Sequence, residues 1–550
     1  MPRRRLLYVL AVVVVLGQMA FAMVTTAMQQ TPTIDEPVYL ATAEVYTQQH
    51  SLRYNYEHPP LGKLIMATGL AFGGANELDP AYPGSQSALG RTLLYESGNN
   101  PFRLLLAARL PIIVLTLLFG LVVLFFARDV AGPAGGLLAL ALYAFSPDVI
   151  AHGSLATLDV PAAGMLLTAF WFAWRGRNRP RRYLPPAGVM LGAALATRAS
   201  ALPAVPLLVL LAAWSMWQAQ GARQDQPMAG AEPALSQAPT PLQKRLLSSA
   251  GAAVVTGLVA VAVVWVVYLI VDPHLRWTTP PNLPTGLKAD VVDLLPFPQA
   301  YRDGMLMQFK LELKTYNGFL FGHAYRGSLW FYLPAAMLIK TPLGMLVLWA
   351  AGALTMIFIP RLRAAALYLL PVSAVLFLVA MTGSRDYGSR YAIFLPMFLA
   401  VAAGTVALIR VRWVQVTTAL LVLFVAVSSL RTFPYYLPYS NEAFGGTANT
   451  HKNLHDSNVD WGQDLARLSR KLRTDYPGEK IWLVYKGSGV PAYYGITAGD
   501  PFSVPADQVH GILVVSDSRV ALTTVRLRAL LAGSTEIDQV GYSMTIYRRP

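Results

Sequence analysis

Long apolar runs dominate this chain and leave it few ways to fold. Stretches near 6–28, 103–127, 134–147, 159–174, 184–198, 201–217, 247–271, 342–359, 364–381, 391–409 and 413–430 are hydrophobic on all sides. They show neither the alternation of a half-buried strand nor the single stripe of a surface helix. Most approach the ~20 residues that carry a helix across a bilayer, where backbone polar groups must be satisfied internally. With 55% hydrophobic and only 13% charged residues, 550 residues cannot coat a soluble surface. The expected fold is mostly α, a polytopic membrane protein of about eleven transmembrane helices.

The first run follows Pro2-Arg3-Arg4-Arg5, the charged start also found in secretory signals. It exceeds the ~7–15 residues of a signal core and lacks a small-residue cleavage site, so it reads as a retained helix. Net charge is +15, but the basic residues are not spread as a nucleic-acid platform interleaved with aromatics. Arg3 to Arg5, Arg128, the Arg175–Arg182 run, Lys244-Arg245, Arg361/Arg363 and Arg410/Arg412 fall in alternate gaps between helices. Such asymmetry marks cytoplasmic loops. The N-terminus is therefore expected in the cytoplasm, the C-terminal tail outside, and the protein in the plasma (inner) membrane. Cysteine is absent, which removes disulfides and thiolate metal sites. No Walker loop or Gly-rich dinucleotide turn is present.

Four segments stand outside the runs. Residues 29–102 form a first outer loop expected to hold two short surface helices. Residues 218–246, rich in Gln, Ala, Pro and Ser, read as a flexible cytoplasmic linker. Residues 272–341 form a second, Pro-rich outer loop. Residues 431–550 are a polar tail, expected as a small extracytoplasmic α/β domain beyond a transmembrane region of 1–430. In the tail, 481–485, 511–515 and 542–547 look like strands. Trp461, Leu465, Leu468 and Leu472 recur at helical spacing.

Against the positive-inside pattern, Lys63, Arg109, Arg198, Lys340, Arg385 and Arg390 sit at outer helix ends. Any one of them alone could snorkel outward. Six on one leaflet favour an anion held at the membrane surface, such as a lipid phosphate. On the same side, Thr33-Ile34-Asp35-Glu36 and Glu57-His58-Pro59-Pro60-Leu61-Gly62-Lys63 crowd acids, a histidine and a lysine against the mouth of the first helix. Thr33-x-x-Glu36 is also a capping box, and Pro59-Pro60 an ordinary helix start. Capping and catalysis are compatible here.

An Asp-Glu pair after the first membrane helix, followed in the same loop by His-Pro-Pro-Leu-Gly-Lys, resembles the protein O-mannosyltransferases of the glycosyltransferase C superfold. The bacterial lipid A aminoarabinose transferases share the plan with a looser motif. Ser146-Pro147 through Leu158-Asp159 and Ala196-Thr197-Arg198 resemble a second outer loop and a basic helix end of that family. Two departures are visible: residues 272–341 are too short for the β-trefoil domain of the eukaryotic members, and the tail run His455 to Asp464 looks like a feature of bacterial relatives.

The resemblance implies a polyprenyl-phosphate sugar donor, a protein, glycolipid or polysaccharide acceptor, and inversion at the anomeric carbon. In that reading Asp35 and Glu36 are catalytic: Asp35 takes the acceptor proton and Glu36 orients the acceptor or a basic neighbour. His58, Lys63, Arg109, Asp159, Arg198, Lys340, Arg385 and Arg390 bind substrate, with Lys63 and Arg385 or Arg390 clamping the phosphate. The leaving group needs no protonation, so no cofactor and no divalent metal is expected. For His58, metal ligand, acceptor contact and hydrogen-bond strut all stay open. The rival reading is a transporter or flippase, which would place ionisable or broken helices at the bilayer midplane.

Overall fold

The computed structural model describes residues 2–224 and 242–550, and all eleven apolar runs are helical in it. In chain order the first helices are α1 (Pro2–Gln29), α2 (Glu36–Gln48), α3 (Leu61–Gly73), α4 (Gln86–Arg91) and α5 (Pro101–Ala144). They are followed by α6 (Pro147–Gly153), α7 (Asp159–Gly176), α8 (Pro180–Thr197), α9 (Ala204–Gln224) and α10 (Leu242–Val271). Two of the expected spans merge in α5, which is 44 residues long and breaks at Gly132. There φ is +76°, a conformation open to glycine because it has no Cβ.

Fewer helices qualify as spans by length and composition than the eleven expected. Among the described residues, five helices are long and apolar enough to cross a membrane: Arg3–Gln29, Pro101–Ala144, Leu242–Val271, Pro360–Ala380 and Arg412–Thr432. A sixth follows if Tyr332–Lys340 and Leu343–Phe358, bent by 115°, form one span. The other runs make helices that are shorter or less apolar, and α7 differs in its surroundings as well. Nearly all its residues are buried, so it packs at the centre of the bundle instead of facing lipid. By contrast α10 exposes Val254, Leu258, Val266 and Ile270, as a lipid-facing helix should.

The outer segments differ from expectation in detail. The first loop holds three short helices, and α2 is largely buried instead of lying open on the surface. The second carries helices Leu287–Asp293 and Gln299–Glu312 and an antiparallel hairpin, β1 (Asn317–Leu320) with β2 (His323–Arg326). At the expected linker, α9 continues to Gln224 and α10 is already helical from Leu242. Its middle, 225–241, lies outside the described residues.

After the last long helix, residues 433–464 run back over the outer ends of the bundle before the tail folds on itself. Asn441 anchors this return: its backbone N–H donates to the Ile339 carbonyl at 2.9 Å, and its amide to Leu338 and Thr341 at 2.6 and 2.9 Å. The tail domain contains the helix Leu465–Asp475 and a sheet of β3 (Ile481–Val484), β4 (Gly511–Ser516), β5 (Thr535–Val540) and β6 (Met544–Arg549). The strand order is β3-β4-β6-β5, with β3 parallel to β4 and the other pairs antiparallel. Alternation along β4 serves two cores. Ile512 and Val514 join Leu465, Leu468 and Leu472 on one face, while Leu513 and Val515 join Leu527 and Leu530 on the other.

Candidate active site

The path to the site begins where α1 ends. Residues 31–34 run alongside the tail: Thr31 N–H donates to the Gln463 carbonyl at 2.9 Å and Ile34 N–H to the Trp461 carbonyl at 3.0 Å. The Ser488 hydroxyl donates to the Ile34 carbonyl at 2.8 Å. This clamp delivers Asp35, the N-cap of α2, to the wall of a cavity of about 1150 Å³. One side of that cavity is apolar, formed by Leu166 of α7 and by Leu376 and Val379 of the helix Arg363–Ala380. The rest is polar.

Five ion pairs ring the polar part. Arg390 donates to Asp35 at 2.9 Å, stacks on Trp461 at 4.3 Å from the ring centre, and lies 3.8 Å from Asp159. Arg198 pairs with Asp159 in turn. Arg385 donates to Glu312 at 2.6 Å and to Gln308 at 3.0 Å. Lys486 pairs with Asp456. Burial works against the Arg390 charge, but the Tyr391 hydroxyl, Asp35 and their neighbours more than offset it and hold its pKa above the ordinary value. Arg390 is thus a permanent cation with one side on the cavity.

Packing fixes these positions. Gly62 of the first-loop motif leaves no room for a Cβ against Leu158 and Thr197, which brings the start of α3 beside the Asp159 and Arg198 ends. Gly388 fits against Ser457 in the same way, and Ser389 N–H donates to Asn458 at 2.9 Å, seating the turn that carries Arg390.

Six of the ten residues singled out in the sequence line the cavity: Asp35, His58, Asp159, Arg198, Arg385 and Arg390. His58 meets Tyr39 edge-on, and burial, reinforced by Arg198, Lys63, Arg385 and Arg390, holds its pKa well below the usual range. Its imidazole is neutral. Among the described residues no group of three His, Cys, Asp or Glu side chains is placed to hold a metal ion, so the metal-ligand reading of His58 finds no companions.

The other four do not line the cavity. Glu36 is fully buried and accepts from Arg109 Nε and Nη2 at 2.7 Å each, from Thr33 N–H at 2.9 Å and from Ala156 N–H at 2.8 Å. Burial alone would push its carboxyl up, yet Arg109 and the backbone donors bring the pKa below the ordinary value. Its place is a positioning one, since it ties the first loop to α5 and to the turn between α6 and α7. Arg109 spends all its donors on Glu36 and on the carbonyls of Ala27, Gln30 and Thr31, so none remains for a phosphate. Lys63 donates to Asn55 O at 2.9 Å, Asn55 Oδ1 at 3.0 Å and His58 O at 2.6 Å, which makes it the strut of its own loop. Lys340 holds Leu437 O at 2.5 Å and Asn458 O at 3.1 Å, with Asp148 at 3.5 Å. Each is buried because its charge is fully partnered.

Sequence reasoning missed Glu312 and Lys486, gave Asp456 only as part of the tail run His455 to Asp464, and assigned Trp461 to a helix stripe. Trp461 precedes that helix and forms the floor under Arg390. Glu57, also on the wall, accepts from Asn55 and Gln86 at 2.9 and 2.8 Å and has no cationic partner among the described residues.

Residues 103–230 match the family model described as dolichyl-phosphate-mannose-protein mannosyltransferase. The matched segment includes Arg109, Asp159 and Arg198, and lies beyond the two first-loop motifs. Among solved structures, the chain is similar to ArnT from Cupriavidus metallidurans in the apo state, at 14% identity over 99% of this chain and 98% of that one, with a TM-score of 0.48. It is also similar to the Pmt1-Pmt2 protein O-mannosyltransferase complex of S. cerevisiae bound to the sugar donor, at 16% identity over 48% and 33%, TM-score 0.33. A third similarity is to the oligosaccharyltransferase of Archaeoglobus fulgidus in the apo form, at 13% identity over 85% and 58%, TM-score 0.42. No curated protein sequence matches the chain.

Proposed function

We propose that this chain is a membrane glycosyltransferase that moves a sugar from a polyprenyl-phosphate donor to an acceptor hydroxyl on the extracytoplasmic face. The observation that carries the reading is the Asp35 carboxylate, held by Arg390 on the wall of a large cavity with one apolar and one charged side. The family match over 103–230 supports it independently of the Asp35 segment.

The apolar side, near Leu166, Leu376 and Val379, suits an isoprenoid chain arriving from the bilayer. Its phosphate meets Arg198, Arg385 and Arg390, which turn from their carboxylates toward the new anion. The acceptor oxygen attacks the anomeric carbon and forms the new glycosidic bond while the bond to the phosphate oxygen breaks. The electron pair leaves with the lipid phosphate, and the acceptor proton passes to Asp35. Growing negative charge on the leaving group is stabilised by guanidinium groups already in place, so the step calls for no divalent ion. The alternate arginine-rich gaps favour an N-terminus in the cytoplasm, with the cavity and tail on the extracytoplasmic side of the plasma (inner) membrane.

The test is incubation of the reconstituted protein with a panel of radiolabelled polyprenyl-phosphate sugars and a membrane extract. One label is expected to move into covalent linkage with a protein, glycolipid or polymer. Label that crosses the bilayer with its phosphate bond intact would identify a transporter and end this reading.

A further inference from the structure

Beyond the catalytic cavity, a second one of about 550 Å³ lies against the end of α10. It is lined by Val261, Trp265, Trp277, Phe297 and Arg302, among others. Val261 stands ten residues before the last residue of α10, hence roughly 15 Å down its axis at 1.5 Å per residue. That is about half of the ~30 Å hydrocarbon core, the depth of one leaflet. The surroundings are those of a membrane interface. Leu287 and Leu294 on the neighbouring segment are 79% and 85% exposed, and Val266 and Ile270 project from α10 beside the groove.

The two indoles act as walls. Trp265 Nε1 donates to the Pro296 carbonyl at 2.9 Å and Trp277 Nε1 to Asp303 at 2.8 Å, so neither N–H is left for a ligand. Arg302 is different. It donates to the Asp293 carbonyl at 2.7 Å and to the Gln299 side chain, its Nε is buried without a partner, and no carboxylate lies within ion-pair distance among the described residues.

We infer that this groove binds an anionic phospholipid from the leaflet on the cavity side, with an acyl chain between the indoles and the headgroup phosphate on Arg302. A soluble anion would meet the guanidinium and leave the aromatic walls empty. A zwitterionic lipid would fill the walls while bringing its own cation to Arg302. Only an anionic lipid meets both needs. The consequence reaches the catalytic cavity, because Trp277 packs on Tyr56 at 5.4 Å and Gln308 donates to the Glu57 carbonyl at 3.0 Å. A bound lipid braces the loop that carries His58.

The experiment reconstitutes the full chain in vesicles doped with brominated phosphatidylglycerol or brominated phosphatidylcholine and reads tryptophan quenching. Phosphatidylglycerol is expected to quench more at equal mole fraction, and the excess is expected to vanish in a Trp265→Phe/Trp277→Phe variant. Arg302→Gln should raise the half-quenching mole fraction about fivefold, the share of one basic residue at an anionic surface, and Arg302→Lys should largely restore it. Unchanged elution and circular dichroism of each variant show that it folds. Equal quenching by the two lipids, an excess untouched by Arg302→Gln, or displacement by inorganic phosphate or a polyprenyl phosphate would overturn the inference.

Discussion

Asp35 and Glu36 are neighbours in the chain and opposites in their surroundings. Glu36 is sealed inside a shell of Arg109 and backbone donors, whereas Asp35 keeps one face on a cavity and meets one cationic partner, Arg390. The basic residues divide in the same way. Arg109, Lys63 and Lys340 have their donors filled by protein oxygens, while Arg198, Arg385, Arg390 and Lys486 each pair with a carboxylate on the cavity wall. Charge near a membrane helix end is therefore not in itself a sign of chemistry. What separates a strut from a reagent is whether its hydrogen-bonding capacity is already used.

The largest expected effect is at Glu36→Ala, which strands Arg109 as a buried cation. Removing one partner of such a pair costs about 3–5 kcal/mol, so little folded protein should survive extraction. A thermal midpoint equal to that of the unmodified chain would erase the line between the two groups.

Next comes pH. Burial pushes the Asp460 and Asp517 carboxyls in the tail domain up to about 7. Between the unfolded value near 3.8 and about 7 the folded chain holds protons that the unfolded chain has released. Tail stability should therefore rise as pH falls through 7, by about 1.4 kcal/mol per unit for each extra proton held, and level off below the unfolded value. Asp517→Asn should flatten this slope, and urea unfolding of the tail followed from pH 8 to pH 5 measures it. A slope of opposite sign would contradict the assignment.

Lys63→Met is expected to cost about 1–3 kcal/mol by leaving the Asn55 and His58 oxygens unpaired, with the donor dissociation constant unchanged. Weakened donor binding without loss of stability would return Lys63 to the site. The smallest effect belongs to Trp461→Leu, which removes the ring under Arg390. At about 0.5–2 kcal/mol for such a contact, turnover should fall roughly tenfold while the fold persists.

Much of the architecture was legible because apolar runs leave a membrane chain little choice, and because 481–485 and 511–515 are short β-branched and aromatic runs bounded by turn residues. β5 escaped notice since Thr535–Val540 is an edge strand with polar, exposed residues. Sequence alone does not separate a helix such as α7, buried among other helices, from one that faces lipid, because the two are equally apolar. In the site, sequence placed Arg385 and Arg390 against the charge pattern and Asp35 in the first-loop acidic pair, and all three line the cavity. The ion pair of Lys486 with Asp456 was not legible, since it depends on how the tail folds back over the bundle, and local sequence carries no trace of that contact. The same limit let Lys63 and Arg109 pass as phosphate ligands: sequence shows a charge but not the carbonyls that surround it.

The most direct test is Asp35→Asn, assayed in reconstituted membranes for donor binding and for sugar transfer together. Donor binding close to that of the unmodified chain with transfer reduced by orders of magnitude is the predicted result. Transfer at the unmodified rate would show that some other group takes the acceptor proton.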